Sequence, residues 1–139
     1  MPEDKTYRDG MKVRTAVLGE EHVARAAAAA TDFDRPFQEL ITRYAWGSVW
    51  QRDGLSRRDR SLLTIVLLAA LGQDAELIMH VRATRRTGVT EEEIREALLH
   101  VAVYAGVPAA NHAIQLVKRT LAEMAAEGEG QGPGTGMPG

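Results

Sequence analysis

The chain has 139 residues, enough for one compact domain with a buried core. Its 17 Lys and Arg residues nearly balance 19 Asp and Glu, the formal net charge is -2, and no long basic block favours a nucleic-acid partner. The absence of cysteine excludes disulfides, thiolate metal ligands and thiol catalysis. Any chemistry must therefore come from His, Tyr, carboxylates or a metal ion.

The N-terminal part predicts helices. The first five residues are polar and charged, so we expect no secretion signal and a cytoplasmic protein. We predict one or two helices over residues 11–30, because Val13, Val17 and Leu18 alternate with charged residues and the segment ends in a run of alanines. Asp34 is expected to cap the next helix, which ends near residues 46–47. Its apolar residues share one face: Phe37, Leu40, Ile41, Tyr44 and Ala45.

The central part also predicts helices. Ser56 and Asp59 have the spacing of a capping box and start a helix through residues 62–71 that ends at Gly72. This helix is apolar on all sides, so we expect it to be the central buried helix. Its apolar run has ten residues, whereas a membrane span needs about 20. The sequence therefore does not predict a membrane protein.

Three further segments complete an all-α fold of about six helices. One helix covers residues 74–87 and stops at Gly88, and a capping box of Thr90 with Glu93 starts the next, which ends before Gly106. The last helix is predicted over residues 109–126. Residues 127–139 are rich in Gly and Pro, so we expect a folded domain at 1–126 and a disordered tail at 127–139.

The run of residues 99–112 places four polar side chains in an otherwise apolar sequence. Burying such groups costs a few kcal/mol unless they are paired, so the run predicts a pocket. His100 and Tyr104 lie four residues apart on a helix that we expect to be buried. The alternative for His100 is a core histidine with satisfied hydrogen bonds. Asn111 and His112 lie at a helix start, where they can meet a carboxylate and where the helix dipole favours neutral imidazole.

A second candidate cluster surrounds His80. Glu76 lies four residues earlier on the same helix and can orient the His80 ring, which predicts a partly exposed general acid. The alternative is an ordinary surface ion pair. Arginines follow His80 and also precede the apolar helix, and their bidentate geometry suits an acidic substrate, although most arginines are solvated surface charges. They are Arg57, Arg58, Arg60, Arg82, Arg85 and Arg86.

The spacing of the histidines argues against a metal ion. Neither His-x-x-x-His nor Glu-x-x-His occurs within a predicted helix. A metal site would have to be assembled from several helices, so we expect none.

Four separated motifs, at residues 32–47, 60–64, 80–83 and 103–111, closely resemble the carboxymuconolactone decarboxylase family. They read DFDRPFQELITRYAWG, RSLLT, HVRA and VYAGVPAAN, and the resemblance covers roughly residues 5–124. It implies an alkyl hydroperoxidase D-like helical fold that assembles as a homo-oligomer, typically a hexamer, with sites at subunit contacts. Peroxidases of that superfamily carry Cys-x-x-Cys-x-x-x-His. Gln73 and Glu76 take the cysteine positions here and Ser61 that of the acidic relay residue, which excludes a thiol peroxidase.

The resemblance implies that 4-carboxymuconolactone loses CO2 without a cofactor and gives β-ketoadipate enol-lactone, a step of protocatechuate catabolism. The electrons left behind delocalise onto the lactone carbonyl oxygen. The protein must supply a donor to that oxygen, an apolar wall and an acid that protonates carbon. Two alternatives remain: a related decarboxylase or lactone-processing enzyme acting on another small dicarboxylate, and a non-catalytic helical binding protein.

We assign these roles to residues as follows. His80, oriented by Glu76, is the acid, while His100 and Tyr104 donate to the oxygen. Arg43 or Arg82 is proposed to bind the spectator carboxylate of the substrate. Tyr44 and Trp46 could form the apolar wall or could equally be core residues. Asn111 and His112 are proposed to contact a second carboxylate.

Overall fold

The computed structural model describes residues 4–131, and all regular structure in that range is helical. The predicted all-α class is therefore confirmed for these residues. The elements in chain order are α1 (Lys5–Leu18), α2 (Glu20–Ala29), α3 (Arg35–Ile41), a π-helix called π1 (Thr42–Val49), α4 (Arg57–Leu71), α5 (Asp74–Thr87), α6 (Glu91–Tyr104) and α7 (Val107–Gln131).

The helices group into two compact units. The first consists of the residues up to Arg60 together with Arg86–Gly88, and the second of Ser61–Arg85 together with the residues from Val89 onward. No helix in the range 4–131 is long and apolar enough to cross a membrane.

In the first unit, the segment that we predicted as one or two helices forms two helices, α1 and α2. The Asp4 carboxylate caps α1 by accepting a hydrogen bond from the backbone N–H of Tyr7 at 2.8 Å. Gly19 has a φ of 95°, a value that glycine adopts without strain, and it separates α1 from α2. The buried stripe of α1 follows helical spacing and contains one charged residue: Gly10, Val13, Arg14, Val17 and Leu18.

Helices α1 and π1 approach each other closely at two glycines. A Cβ atom on Gly10 would lie 2.1 Å from the carbonyl oxygen of Thr42, and one on Gly47 would lie 2.5 Å from that of Thr6. Backbone atoms cannot approach a side chain so closely without moving. The absence of a side chain at these two positions therefore sets the distance between the two helices.

The helix predicted after Asp34 differs from its prediction in four respects. It continues to Val49, beyond residues 46–47, and its second half is a π-helix, a form that is found frequently at functional sites. Asp34 stands at the N-cap, but its carboxylate accepts from the N–H of Thr31 at 2.8 Å and makes no capping bond to α3. Three residues of the predicted apolar face are exposed: Phe37, Leu40 and Tyr44.

Helix α4 begins in the first unit and continues in the second from Ser61 onward. It begins as predicted, since the Ser56 hydroxyl accepts from the N–H of Asp59 at 3.0 Å. The prediction that this helix is buried on all sides is wrong. Ser61, Ile65 and Ala69 form a single buried stripe, whereas the opposite apolar stripe is exposed. Its members are Leu63, Leu67 and Leu71, which expose 50%, 58% and 69% of their surface.

Helices α5 and α6 match their predicted bounds. Gly88 follows α5 with a φ of 90°. The capping box of α6 is confirmed by reciprocal bonds of 2.9 and 3.1 Å between Thr90 and Glu93. The core of this unit draws its buried apolar residues from α4 to α7 and the segment before α6: Ile65, Ala69, Leu77, Val81, Val89, Ile94, Leu98, Val101, Ala110, Ala113, Leu116 and Val117.

Helix α7 is longer than the predicted 109–126 at both ends. It begins at Val107 and reaches Gln131, so it includes residues that we assigned to the tail. The Glu127 carboxylate binds the Arg82 guanidinium and lies 3.7 Å from Arg85, which attaches the last turns of the helix to α5. Residues 132–139, the rest of the predicted tail, lie outside the described residues.

Candidate active site

His80 lies in α5, three residues after Leu77 and next to Val81 in sequence. Only 6% of its surface is exposed, so the prediction of a partly exposed side chain is wrong. The reason is the register of the helix. Leu77, Val81 and Thr84 are all buried, and His80 falls on the same side. Burial removes the imidazole from bulk water, a condition that suits a controlled proton transfer.

Glu76 is on the turn of α5 before His80. Its side chain is exposed, whereas that of His80 is buried, so the two residues differ in environment although they are four apart. The orienting role of Glu76 stays a prediction.

His100 and Tyr104 form a ring pair on α6. Their ring centroids are 4.8 Å apart with an angle of 41° between the planes. Both side chains are exposed, Tyr104 to 79%, which contradicts the prediction of a buried pair. Leu99 and Val103, which alternate with them along the helix, are also exposed. The apolar sequence of this segment thus reflects an uncovered apolar surface of the single chain.

His112 and Asn111 are exposed in the first turns of α7. The Nε2 atom of His112 lies 2.8 Å from a carboxylate oxygen of Asp74, at the start of α5. This bond joins the beginnings of the two helices and places His112 near the N-terminal end of the helix that carries Glu76 and His80. A ring nitrogen of His112 is thus already engaged by a carboxylate of the chain.

Arg82 has carboxylate partners within the second unit. Its guanidinium binds Glu127 and lies 3.6 Å from Glu123. The hydrogen bond from Arg82 is the main cause that lowers the pKa of Glu127 below its ordinary value, and Arg85 adds to the effect. An incoming carboxylate would have to compete with both glutamates for Arg82.

The other three predicted binding residues belong to the first unit. Arg43 is half-buried, lies 3.2 Å from the Asp4 carboxylate and places its guanidinium carbon 5.7 Å from the centre of the Tyr7 ring. Tyr44 is exposed. Trp46 is buried and packs against Trp50 with ring centroids 4.8 Å apart, which fits the alternative that it is a core aromatic residue.

Arg14, the charged member of the buried stripe of α1, was not among the predicted site residues. The residue is 6% exposed, and its guanidinium donates to Thr42 Oγ1 at 3.1 Å and Gln38 Oε1 at 2.9 Å. Burial lowers the pKa of Arg14, and the nearby Tyr7 opposes this shift in part. A signal was present in the sequence, because Arg14 lies four residues after Gly10 and three and four before Val17 and Leu18.

Arg14 borders a cavity of about 260 Å³ within the first unit. Its lining is the inner side of α1, α2 and α3 with the start of π1: Tyr7, Met11, Arg14, Val23, Ala26, Ala27, Ala30, Arg35, Gln38, Glu39 and Thr42. A second cavity of about 240 Å³ lies between α6 and α7 and is mostly apolar, with Leu98, Leu99 and Leu121 in its wall. Neither of these two cavities contains a residue that we predicted for the site, whereas a third cavity of about 550 Å³ has His100 in its lining.

The described residues contain no group of three or more His, Asp or Glu side chains that could hold a metal ion. The expectation of an enzyme without metal or cofactor stays a prediction, because activity with and without a metal decides it.

The comparison with protein families matches residues 35–119 to the carboxymuconolactone decarboxylase family, and this match covers more than half of the chain. The chain belongs to that family. Every residue that we predicted for the site lies within the range matched to the carboxymuconolactone decarboxylase family, whereas Arg14 precedes it.

Curated relatives extend the similarity over most of the chain. The 4-carboxymuconolactone decarboxylase of Acinetobacter baylyi is 46% identical over 124 residues, which are 89% of this chain and 92% of that enzyme. The nitrosuccinic acid decarboxylase npaB of Metarhizium robertsii is 50% identical over 131 residues, 93% of this chain and 90% of that enzyme. A 4-carboxymuconolactone decarboxylase of Pseudomonas putida is 51% identical over 47 residues, 34% of this chain and 98% of that sequence.

Proposed function

We propose that this chain is a carboxy-lyase that removes CO2 from 4-carboxymuconolactone and forms β-ketoadipate enol-lactone. The observation that carries the proposal is the 46% identity to the Acinetobacter baylyi enzyme over 92% of that enzyme's length. Two relatives of nearly full length are named for decarboxylation of a small organic acid, which supports catalysis over a purely structural role.

The reaction needs no co-reactant other than a proton. The bond between the ring carbon and its carboxylate breaks and CO2 leaves. The electron pair moves through the adjacent double bond onto the lactone carbonyl oxygen, which gives a dienolate. A proton then adds to the ring carbon next to that carbonyl. The enzyme lowers the barrier by stabilising negative charge on one oxygen and by holding an acid near one carbon.

His80 is the proposed acid. Its burial supports this role, because an imidazole shielded from bulk water can protonate the dienolate at one position. Glu76 acts as the positioning residue in this proposal, since it lies one helical turn earlier. Glu76 is exposed and His80 is buried, so in this proposal the Glu76 carboxylate lies at the solvent-exposed edge of the site.

His100 and Tyr104 are the proposed donors to the dienolate oxygen. This role requires that another part of the assembly shields their surface of α6 from solvent. In the single chain both residues are exposed together with Leu99 and Val103. We infer that a second copy of the chain covers this surface in a homo-oligomer, which the family resemblance implies to be a hexamer. An apolar surface around a polar ring pair is typical of a subunit contact that also contributes to a site.

The arginine that anchors the spectator carboxylate faces competition. A substrate carboxylate must displace Asp4 from Arg43, or Glu123 and Glu127 from Arg82. Of the polar pair at the start of α7, Asn111 lacks such a competitor in the described range, whereas His112 is held by Asp74. Asn111 is therefore the polar group of α7 that we propose for contact with a second carboxylate.

A second candidate substrate is nitrosuccinic acid, which is favoured by the 50% identity to the Metarhizium robertsii enzyme over 93% of this chain. Loss of CO2 from the carbon that bears the nitro group would place the electron pair on the nitro oxygens. The requirements are the same: a donor to an oxygen that gains charge, and an acid for carbon.

Measuring kcat/KM for both acids with one preparation tests the proposal. We expect a higher kcat/KM for 4-carboxymuconolactone than for nitrosuccinic acid. The rate should be the same before and after exhaustive chelation. A higher kcat/KM for nitrosuccinic acid would identify that acid as the preferred substrate. Turnover of neither acid would refute both, and a loss of activity on chelation that one metal ion restores would refute the metal-free mechanism.

A further inference from the structure

Arg14 carries a buried charge that no carboxylate neutralises within residues 4–131. Its two hydrogen-bond acceptors in the described residues, Thr42 Oγ1 and Gln38 Oε1, are neutral. The Nε atom is fully buried and has no hydrogen-bond partner in the described part of the chain. A guanidinium has five N–H donors, so several remain available. Burying an unpaired charge is unfavourable, and a carboxylate that enters the site would offset part of this cost by pairing with the guanidinium.

Other arginines of the first unit differ from Arg14 in this respect. Arg43 binds Asp4, Arg35 binds Asp32 and Arg25 lies 3.8 Å from Glu21. These three ion pairs are at the surface, where water also solvates the charge. Arg14 alone among these four combines burial with neutral partners.

The cavity beside Arg14 has the size and lining for a small acid. Its volume of about 260 Å³ is slightly below the range of pockets for drug-sized ligands, about 300–1,000 Å³. Met11, Val23 and the alanines of α2 give it an apolar wall, and Arg35 adds a second cation to the lining. Glu39 also lines the cavity, but no ion pair joins it to Arg14 in the range 4–131. Arg35 is already paired with Asp32, so Arg14 is the cation of the lining that has no carboxylate partner within residues 4–131.

We propose that this cavity is a binding site for a small organic acid whose carboxylate is bound by the Arg14 guanidinium and whose short carbon chain lies against α2. Planar, bidentate donors make arginine the preferred partner of a carboxylate. Thr42 and Gln38 hold the guanidinium in place before the ligand arrives, which reduces the entropy lost on binding. The site belongs to the first unit alone and does not depend on the decarboxylation activity.

Titration with succinate, followed by NMR of the arginine Nε–H groups, tests the proposal. Succinamide, which has the same shape without charge, serves as the control ligand. The variant Arg14→Lys assigns the resonance, because it removes one arginine signal. We expect succinate to shift the Arg14 Nε–H signal with saturation and to raise Tm, and succinamide to do neither. An unshifted Arg14 signal, or an equal shift with succinamide, would overturn the proposal.

Two alanine variants of α2 locate the binding without changing Arg14. Ala26 lines the cavity, whereas Ala28 is exposed and does not line it. Ala26→Leu fills the cavity and should weaken the apparent Kd for succinate about 10-fold or more, because extra methylenes in a pocket have effects of that order. Ala28→Leu should leave the Kd unchanged. Equal Kd values in both variants would show that succinate binds elsewhere and would overturn the site, whatever the decarboxylase assay gives.

Discussion

At the residue scale, His80 illustrates how helix register determines the environment of a catalytic candidate. Its neighbours in sequence include Glu76, Arg82 and Arg85, which suggested a polar face. The buried residues Leu77, Val81 and Thr84 surround it on the same side of α5, and this places the imidazole inside. A substitution of His80 therefore affects both folding and chemistry, and a measurement has to separate the two.

We predict that His80→Ala lowers kcat on 4-carboxymuconolactone by about 10²- to 10⁴-fold, the usual contribution of a positioned acid. Because the residue is buried, the variant should also lose roughly 1–3 kcal/mol of unfolding free energy. Leu77→Ala is the matched control on the same helix. It should lose about 2–5 kcal/mol but keep its kcat per folded molecule. If the activity of His80→Ala simply follows its folded fraction, His80 is structural and the acid role passes to His100.

Single residues also show where sequence reasoning reaches its limit. Arg14 was recognisable in principle, because a charge at the spacing of a buried stripe is unusual. The exposure of His100 and Tyr104 was not recognisable. An apolar segment has the same sequence whether it is covered by its own chain or by a second copy, so periodicity alone predicted burial.

At the element scale, α1 and π1 depend on two glycines for their close contact. We predict that Gly10→Ala and Gly47→Ala each destabilise the protein by about 1–3 kcal/mol, as overpacking does, because the new Cβ would meet backbone carbonyl oxygens. Gly54→Ala is the control, since a Cβ there meets nothing within 4 Å. Urea unfolding of the three variants measures the difference. Equal stabilities of Gly10→Ala and Gly54→Ala would mean that the helices are not in this close contact.

The contribution of Glu127, near the end of α7, to the stability of the fold should depend on pH. Its pKa is lowered in the folded state, chiefly by the Arg82 hydrogen bond, from an ordinary value of 4.5. Stabilisation by this group is therefore fully present above the unfolded pKa and is lost as pH falls through the folded pKa. The Tm difference between wild type and Glu127→Gln should be constant near neutral pH and shrink below about pH 4.

The double variant Arg82→Gln with Glu127→Gln provides the control for this pair. In the Arg82→Gln background, Glu127→Gln should have a smaller effect on Tm at neutral pH, because the main cause of the pKa shift is gone. A Tm difference that persists unchanged at low pH would contradict the role of this carboxylate in holding the helix end.

The elements differ in how well the sequence predicted them. The capping box of Thr90 and Glu93 and the glycine after α5 act locally, so the bounds of α5 and α6 followed from sequence. The π-helix did not follow from sequence, and its close contact with α1 at Gly47 involves Thr6, about 40 positions away in sequence. The last turns of α7 did not either. Their composition favours a loop, and their ion pairs with α5 come from residues about 45 positions away in sequence.

At the scale of the whole molecule, the exposed apolar stripe of α4 predicts self-association. Leu67→Glu places a charge in the middle of this stripe and should shift the protein toward smaller species. Ala122→Glu, at an exposed position of α7 outside the stripe, is the control and should keep the wild-type mass. Light scattering at micromolar concentration measures the three masses. A monomeric wild type would contradict the homo-oligomer and leave His100 and Tyr104 without a cover.

Decarboxylation of 4-carboxymuconolactone by this chain is tested by the stoichiometry of its two products. Purified protein is incubated with 4-carboxymuconolactone, and released CO2 and β-ketoadipate enol-lactone are measured in the same sample against a blank without protein. We expect one CO2 for each enol-lactone, at a rate far above that of the blank and strongly reduced in His80→Ala. Unchanged 4-carboxymuconolactone, or CO2 release no faster than in the blank, would contradict the proposed decarboxylation.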